Sequence, residues 1–388
     1  MLKKIKITNF LSCQNTEIEF DNITALIGRN ATGKSNILKA IEWCAQFAVG
    51  NKSLIAHFDL TGVFTTECSI EFLIDNQCFK YDISITSSHT EDKLLIENLF
   101  VHTNGEWELI AKRNNDIGTL YGEENINFNI NFQSPMIGSI TSLLPKKRLN
   151  LFIDKVSDYL SRIKYYTLDD YNHKYISGNS YFSYINDHDY RQWLSKKNKS
   201  DSSIVMKLLH IWHKDKELFE KLNEIIGKNC LNLIDTIEIS KVNLGQSDEI
   251  MLLDYIYIIK FHIMNSAVYY TQLSYGTHRV LAILLALLYD KNRVLLIEQP
   301  EDGIHSGLLK KLLPMCFQYA EYYNKQLIIA TQSAEVINLF QPENIRLVKI
   351  TENGSKVSPL DKERLPYIRN YIENEGVLFD LIETMDNE

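Results

Sequence analysis

Residues 28–35, with the sequence GRNATGKS, constrain the fold more than any other part of this 388-residue chain. They fit the pattern G-x-x-x-x-G-K-[ST], in which glycines let backbone N–H groups wrap around phosphate oxygens. The apolar segment ITALI precedes them, and the helical pattern SNILKAIEWCAQFAV includes their last residue and continues the chain. We therefore predict a strand, a phosphate-binding loop and a helix whose N-terminus adds partial positive charge to the site.

This motif assigns roles to individual residues. Lys34 is expected to reach the β- and γ-phosphates and to act in catalysis, and Ser35 is expected to ligate Mg²⁺. The expected cofactors are therefore ATP and Mg²⁺. A chance match in a glycine-containing loop is the alternative, and the order of strand, loop and helix argues against it. The predicted nucleotide-binding residues here are Gly28, Arg29, Asn30, Ala31, Thr32, Gly33, Lys34, Ser35 and Asn36.

Hydrophobic patterning places the loop in a chain of strands and helices. Residues 1–20 alternate like a β-hairpin, and the alternating segments between residues 68 and 132 predict an antiparallel β-lobe. Residues 150–230 have a helical and polar pattern. The apolar segments VLLIE and QLIIAT, with a helical segment between them, predict parallel strands covered on both faces. The predicted fold class is therefore α/β.

Composition restricts the partners and the compartment. The net charge of −8 argues against a chain coated with nucleic acid, although a local basic patch is compatible with it. Six cysteines without CxxC pairing or zinc-like spacing, in a chain without a signal peptide, predict reduced thiols in a cytoplasmic protein. The longest apolar run, VLAILLALLY, is too short to span a bilayer, so we expect no membrane partner.

Two later motifs complete the predicted site. In VLLIEQPEDG an apolar strand ends at Glu298, which we expect to bring a carboxylate to the phosphate site as a metal ligand. Gln299 follows, where an ATPase of this pattern is expected to place a second carboxylate that activates water. LSYGT, which contains Ser274 and Gly276, precedes a helix about 20 residues earlier. In isolation this serine is an ordinary N-cap residue.

Together these motifs resemble an ABC-type ATPase of the RecF/SMC/OLD group. The hairpin KIKITNF, GKSN, LSYGT and LLIEQPEDGIH carry the resemblance. It extends to AAA_21-like ATPases of bacterial anti-phage systems such as Septu, PARIS and OLD-related modules, here without a TOPRIM nuclease. It implies an ABC-type P-loop NTPase head with a mixed or parallel sheet flanked by helices, an antiparallel β-lobe and a helical insertion.

The resemblance also implies four segments. These are an N-terminal half of the head with the P-loop and β-lobe (1–149), a mainly helical insertion (150–250), a C-terminal half with the signature, Walker B strand and switch (251–350), and a C-terminal extension (351–388).

Further site residues follow from the resemblance. Ser274 and Gly276 would bind a γ-phosphate held by another subunit's P-loop, which implies a homodimer or higher even oligomer joined by an ATP sandwich. Glu298 matches the metal-coordinating acid and Gln299 the catalytic glutamate. Gln332 stands at the switch, where many relatives have His.

The sequence departs from the family at several positions. Leu11 stands where Arg is common. No glutamine is a clear Q-loop residue: Gln133 is a candidate that lies late in the chain, and Gln77 falls at a predicted hairpin tip.

Gln299 is the departure with the largest chemical consequence, because an amide cannot take a proton. It is either natural, in a slow ATPase that acts as an ATP-binding switch, or an engineered Glu→Gln trap. We favour the trap because the rest of the site is intact. Under either explanation, loss of a general base slows hydrolysis about 100- to 10,000-fold.

Other candidate residues have ordinary explanations. The segment YFSYINDHDYRQWLSKKNKS (181–200) mixes aromatic and basic residues as nucleic-acid-binding surfaces do, and a solvated insertion is the favoured interpretation. The same holds for PKKR (145–148). His173, His188, His210 and His213 lack partners at ligand spacing, so no metal site is predicted there. His305 is either a contact with a partner subunit or a helix-start residue.

The leading functional hypothesis is an ATP-driven dimeric switch in bacterial defence or DNA maintenance. It would control a separately encoded effector, for which a nuclease is the favoured class. A second hypothesis is a RecF-like protein of DNA repair that itself binds DNA; RNA is also a possible partner. A stand-alone nuclease is disfavoured, because no acidic metal-binding cluster is evident outside the ATP site.

Overall fold

The computed structural model describes residues 1–52, 64–87, 94–143, 151–166, 184–195, 203–243 and 255–387. The strands are β1 (Leu2–Phe10), β2 (Cys13–Glu19), β3 (Ile23–Ile27), β4 (Phe64–Ile74), β5 (Gln77–Ser87), β6 (Leu94–Thr103), β7 (Glu106–Asn114), β8 (Ile117–Leu120), β9 (Ile126–Asn129), β10 (Ile163–Tyr166), β11 (Tyr184–Asn186), β12 (Thr236–Asn243), β13 (Tyr255–Ile263), β14 (Ser266–Val268), β15 (Val294–Glu298), β16 (Gln326–Thr331), β17 (Ile345–Thr351) and β18 (Gly354–Pro359). The helices are α1 (Lys34–Ala48), α2 (Met136–Leu143), α3 (Leu151–Ser161), α4 (Asp187–Ser195), α5 (Ile204–Lys214), α6 (Lys216–Ile226), α7 (Tyr275–Leu288), α8 (Ser306–Tyr322), α9 (Ala334–Ile337), α10 (Leu365–Asn374) and α11 (Leu378–Asn387).

The chain forms two compact units. The first contains residues 1–166, 292–299 and 324–388, and the second contains residues 167–291 and 300–323. These boundaries cut the chain at other points than the four segments expected from the sequence, and that division stays a prediction. The segment 150–250, expected to be mainly helical, holds β10, β11 and β12 besides its helices.

An antiparallel sheet of eight strands forms one side of the first unit, in the order β2-β1-β4-β5-β6-β7-β8-β9. Two of its hairpins turn at Asp75-Asn76 and Asn104-Gly105, and all four residues have positive φ. Turns of this kind match the right-handed twist of the strands that they join. The N-terminal hairpin and the β-lobe predicted from the alternating pattern are both present.

The second sheet of this unit is mixed, in the order β10-β15-β16-β3-β17-β18. The first five strands run parallel, and β18 pairs antiparallel with β17. β15 and β16 contain the unbroken apolar runs VLLI and LIIA, as expected of strands with both faces covered. The α/β fold class predicted from the sequence is confirmed.

Helix α1 packs against both sheets of the first unit. Twelve of its fifteen residues are buried, because protein surrounds the helix. A helix on the surface would bury only one apolar stripe. Two of its buried polar side chains hydrogen-bond to the backbone of the edge strand β10. Gln46 Nε2 donates to the carbonyl of Ile163 at 2.6 Å, and Glu42 Oε1 accepts from the N–H of Tyr165 at 3.0 Å.

A buried ion pair fixes the end of the β-lobe. Arg113 and Glu97 are fully buried and lie 2.9 Å apart. The Arg113 guanidinium also donates to the carbonyls of Asn131, Phe132 and Ser134, so the loop that carries Gln133 is held against the lobe. Such donors offset the desolvation of a buried charge.

The second unit combines a small antiparallel sheet with helices. β13 pairs with β11, β12 and β14. α7 packs on α5 and α8, and a buried ion pair of 2.7 Å joins Lys207 of α5 to Asp290, which follows α7. In the ranges described, no helix is long and apolar enough to cross a bilayer.

Candidate functional site

Three loops of the first unit leave the same edge of the mixed sheet. β3 leads into residues 28–33, β15 ends at Glu298, and β16 ends one residue before Gln332. These strands are parallel neighbours, with Glu298 paired to Ala330 and Thr331 paired to Ile27. The carboxyl ends of parallel strands meet at one edge of a sheet, where α/β proteins place their ligands. The structure therefore brings together these three predicted parts of the site.

The P-loop turns sharply into α1. Ala31 and Gly33 have positive φ, and Gly33, with φ 101°, is the N-cap of the helix. Lys34 is buried, and its ammonium donates to the carbonyls of Gly28 at 2.6 Å and Arg29 at 2.8 Å. These contacts keep the cation inside the loop. A phosphate in the loop would offer the same ammonium a charge-assisted hydrogen bond, the stronger type.

Two serines from distant parts of the chain support this loop from behind. The Ser355 hydroxyl donates to the carbonyl of Thr32 at 2.7 Å and lies 2.8 Å from the hydroxyl of Ser12. Asn36 Nδ2 donates to Ser12 Oγ at 2.9 Å. A Cβ added to Gly33 would lie 2.0 Å from Ser355 Oγ and 2.5 Å from Ser12 Oγ. Sequence reasoning missed both serines, because a single serine in a hairpin turn (Ser12) or in a strand (Ser355) carries no motif.

The predicted metal ligands Ser35 and Glu298 are in contact. The Ser35 hydroxyl donates to Oε1 of Glu298, and the hydroxyl of Tyr165 donates to Oε2. Tyr165 lies on β10, the parallel neighbour of β15, and no sequence motif pointed to it. The parallel pairing of β10 with β15 was the missing signal.

Gln299 follows β15 in an unusual backbone conformation. Its φ is 44°, in the left-handed region that a non-glycine residue rarely adopts, and its N–H donates to Ala330 O at 2.8 Å. Strain of this kind costs about 1–3 kcal/mol and is concentrated at functional sites.

Gln332 lies beside the P-loop. It lines a cavity of about 360 Å³ together with Gly28, Arg29 and Asn30. Phe379, Ile382 and Glu383 of the C-terminal helix α11 line the same cavity, and the sequence did not associate that helix with the site.

Ser274 and Gly276 belong to the second unit. Ser274 is exposed and is the N-cap of α7, with Oγ accepting from the N–H of Thr277 at 3.2 Å. A Cβ on Gly276 would lie 2.2 Å from the carbonyl of Gly303, so only glycine fits there. The capping role of Ser274 is observed, and its phosphate-binding role stays a prediction.

Burial lowers the pKa of His278, which lies one turn further along α7. Its Nε2 is 2.8 Å from the carbonyl of Tyr270. The neutral imidazole is therefore the form suited to this position.

The other candidate residues have structural roles. His305 is the N-cap of α8, with Nδ1 accepting from the N–H of Gly307 at 3.1 Å. Arg191 is paired with Asp187 at 2.6 Å. His210 lies 3.1 Å from the Tyr190 hydroxyl. His173, Lys196–Ser200 and PKKR lie outside the described residues.

The two glutamines considered for the Q-loop lie in the β-lobe and in the loop that follows it. Gln133 is exposed on the loop held by Arg113, and Gln77 begins β5 and donates to the carbonyl of His102 in the β-lobe. In the part of the chain that the structure describes, no group of three or more His, Cys, Asp or Glu side chains could hold a metal ion.

Comparison with known proteins identifies the family. Residues 23–338 match the AAA_21 family, described as "AAA domain, putative AbiEii toxin, Type IV TA system". The chain is 31% identical over 97 residues to the DNA double-strand break repair Rad50 ATPase of Methanococcus maripaludis, covering 25% of this chain and 10% of that protein. It is 35% identical over 75 residues to the Old nuclease of Escherichia phage P2, covering 19% of this chain and 12% of that protein.

These two matches span about a tenth of each relative's length. Among solved structures, the SMC head domain from Thermotoga maritima is 15% identical, with a TM-score of 0.44, 93% of this chain and 99% of that chain being covered. The family match includes the P-loop, LSYGT, Glu298, Gln299 and Gln332. The chain therefore belongs to the AAA_21 family.

Proposed function

We propose that this protein is an ATP-dependent switch that closes with a second copy around ATP and controls a separately encoded effector in bacterial anti-phage defence. The observation that carries the proposal is the joining of Ser35 to Glu298 at the P-loop edge of the mixed sheet. It brings a helix N-terminus, the Lys34 ammonium, a hydroxyl and a carboxylate to one place. This set suits a nucleotide phosphate with a divalent cation.

The residues at this edge fit ATP and Mg²⁺. Magnesium prefers oxygen ligands and is usually held by one or two carboxylates together with substrate phosphates and water. Glu298 and Ser35 supply one carboxylate and one hydroxyl. Lys34 is positioned to neutralise the β- and γ-phosphates, since its ammonium already lies against the loop carbonyls. Bound Mg²⁺ would supply further positive charge for the phosphates.

Gln299 determines the rate at which such a switch resets. Its amide can orient a water molecule by hydrogen bonding and cannot take the proton, so hydrolysis is slow by about 100- to 10,000-fold relative to a carboxylate. Loss of that negative charge beside the γ-phosphate also favours retention of ATP. The natural and the engineered explanations for Gln299 both lead to a long-lived ATP state.

The other half of the proposed sandwich is the N-terminus of α7. Ser274 is exposed there, and Tyr275 beside it is 39% exposed. Helix N-termini attract anions through their N–H groups and the helix dipole, and α7 is 14 residues long. The chain carries one P-loop and one LSYGT segment. Two copies would therefore supply two complete sites.

A light-scattering experiment tests the sandwich. With Mg-ATP, the Gln299 protein is expected to form a dimer. Ser274→Arg should block dimer formation without loss of ATP binding, because its side chain would occupy the place of the γ-phosphate. Thr271→Arg, which adds the same charge at an exposed position three residues earlier, is the matched control. ATP-dependent association that survives Ser274→Arg would contradict the sandwich.

Hydrolysis tests the role of Gln299 separately. Gln299→Glu is expected to raise steady-state phosphate release with Mg²⁺, because a carboxylate can accept the proton of the attacking water. A rate no higher than that of the Gln299 protein would show that this position is not the base.

The defence role and the effector rest on the family. Its description names a putative toxin of a toxin–antitoxin system. Control of a separate nuclease is tested by co-purification with the product of the adjacent gene, with and without ATP. ATP-dependent association with a nuclease supports the switch. Absence of any such partner argues against it. We place the protein in the cytoplasm, with ATP as its ligand.

A RecF/SMC-like DNA-binding ATPase in repair is the second candidate. The 31% identity to a protein named for DNA double-strand break repair favours it. ATP-dependent binding of duplex DNA by this chain alone, measured by fluorescence anisotropy over a salt series, would support this candidate over the effector switch.

A further inference from the structure

We propose that Tyr165 is a positioning residue for the metal-binding carboxylate, an inference that rests on the proposed ATP and Mg²⁺ site. The two hydroxyls bound to Glu298 take different oxygens, Ser35 on Oε1 and Tyr165 on Oε2. A carboxylate held at one oxygen loses its freedom to rotate. Tyr165 therefore fixes the orientation in which the other oxygen and the Ser35 hydroxyl face a shared cation.

The strand that carries Tyr165 is held in place from both sides. On one side β10 pairs in parallel with β15, with Tyr165 opposite Leu296. On the other side β10 is a sheet edge, and side chains of α1 take its exposed backbone groups. Glu42 accepts from the Tyr165 N–H at 3.0 Å, and Gln46 donates to the carbonyl of Ile163 at 2.6 Å.

These two side chains of α1 are almost fully buried, at 4% and 6% exposure. Burial of a carboxylate and an amide is costly unless they are hydrogen-bonded, and the backbone groups of β10 supply part of that bonding for both. Lys52 and Asn51 supply the rest, since they donate to Glu42 Oε2 and Gln46 Oε1. Helix α1 begins at Lys34, the residue after the P-loop glycine. The P-loop leads directly into α1, and α1 is hydrogen-bonded to the backbone of Tyr165. The same helix therefore helps to position both groups that contact Glu298, the Ser35 hydroxyl and the Tyr165 hydroxyl.

Groups of this kind tune metal affinity. Hydrogen-bond partners of ligating carboxylates fix the orientation of the ligand, and their removal commonly lowers metal affinity about 10- to 100-fold. The phenol of Tyr165 donates to the oxygen that Ser35 does not use. Removal of this hydroxyl should therefore weaken the binding of Mg²⁺. It should leave the contacts between the P-loop and phosphate, which do not involve the metal, intact.

The adjacent tyrosine provides a matched control. Tyr166 lies on the same strand, and its hydroxyl accepts from Asn292 Nδ2 at 2.5 Å. Tyr165→Phe and Tyr166→Phe each remove a single hydroxyl from β10 and keep the ring. A general weakening of the strand would affect both variants, whereas loss of carboxylate positioning would affect only the first.

The experiment measures binding of a fluorescent ATP analogue in EDTA and over a Mg²⁺ titration. Tyr165→Phe is expected to raise the apparent dissociation constant for Mg²⁺ about 10-fold and to leave binding in EDTA unchanged. Tyr166→Phe should match the parent protein in both conditions. Mn²⁺ binding in the presence of ATP, followed by electron paramagnetic resonance, gives the same comparison without hydrolysis.

Coupling through the carboxylate provides the second measurement. In a Glu298→Gln background, Tyr165→Phe is expected to have no further effect on Mg²⁺ dependence, because the group it orients is already lost. An unchanged Mg²⁺ titration for Tyr165→Phe, or equal effects in both backgrounds, would overturn the proposal. Equal losses for Tyr165→Phe and Tyr166→Phe would overturn it too. If the parent protein binds no ATP analogue at all, the proposed function itself fails.

Discussion

Replacement of Gly33 by Ala tests whether the two serines behind the P-loop shape that loop. Gly33 has φ 101°, and a Cβ there would lie 2.0 Å from Ser355 Oγ and 2.5 Å from Ser12 Oγ. The left-handed backbone costs a non-glycine residue about 1–3 kcal/mol. The overpacking adds about 1–3 kcal/mol, since neither serine can move without breaking its hydrogen bonds. We expect Gly33→Ala to lower the free energy of unfolding by about 2–6 kcal/mol.

A second glycine separates the two terms. Gly105 has φ 89°, and a Cβ there would have no atom within 4 Å. Gly105→Ala therefore carries the backbone strain without the clash, and both variants lose the same chain entropy in the unfolded state. The difference between them should equal the overpacking term, about 1–3 kcal/mol.

The assay must report on the unit that holds the loop. Trp43 of α1 packs in that unit, so urea unfolding is followed by its fluorescence. All variants are made in a common background in which the other tryptophans are replaced by Phe: Trp107, Trp193 and Trp212. The reasoning is refuted if Gly33→Ala destabilises no more than Gly105→Ala. It is also refuted if the cost of Gly33→Ala is unchanged when Ser12 and Ser355 are both Ala.

Two further predictions concern a cation and a histidine. Lys34→Ala is expected to abolish tight ATP binding while Lys39→Ala on the same helix retains it; equal affinities in a titration would remove Lys34 from the site. Because burial lowers the pKa of His278 below its ordinary 6.5, the unfolded chain takes up the proton first as pH falls. The contribution of His278 to the free energy of unfolding is thus fully present above pH 6.5 and is lost as pH falls from there through the folded pKa. Urea unfolding of His278→Gln should therefore show a smaller decrease in the free energy of unfolding between pH 7 and 5. If the decrease is the same in His278→Gln, it does not arise from His278. His213, whose pKa is also lowered, would then be the histidine to replace next.

Much of the fold could be predicted from the sequence because its signals are local. Two-residue periodicity in β1 and in the β-lobe, and unbroken apolar runs in β15 and β16, each depend on a few neighbouring residues. The carboxyl ends of parallel strands meet at one edge of a sheet, and this rule places Lys34, Glu298 and Gln332 at the same edge. Each of these three residues lies at the end of a strand or loop that the sequence predicts.

The rest of the site depends on pairings that no local pattern encodes. Ser35 and Glu298 are 263 residues apart, and Ser12 and Ser355 are 343 residues apart. The first pair could be predicted because a P-loop and an acidic strand have a known relation. The second pair depends on the approach of β18 to the turn after β1, where the N–H of Ser355 donates to the carbonyl of Ser12 at 2.8 Å.

Tyr165 shows why such contacts stay hidden in a sequence. Its position requires β10 to pair with β15 at the edge of the mixed sheet, where buried Glu42 and Gln46 hydrogen-bond to the backbone of β10. In the sequence these two residues are the polar positions of the otherwise apolar segment 40–48, and polar residues of this kind are usually exposed to solvent. Their burial makes sense only once the edge strand is present. In this chain, the buried polar residues of the helix after the P-loop thus mark the edge strand that places the Tyr165 hydroxyl on Glu298.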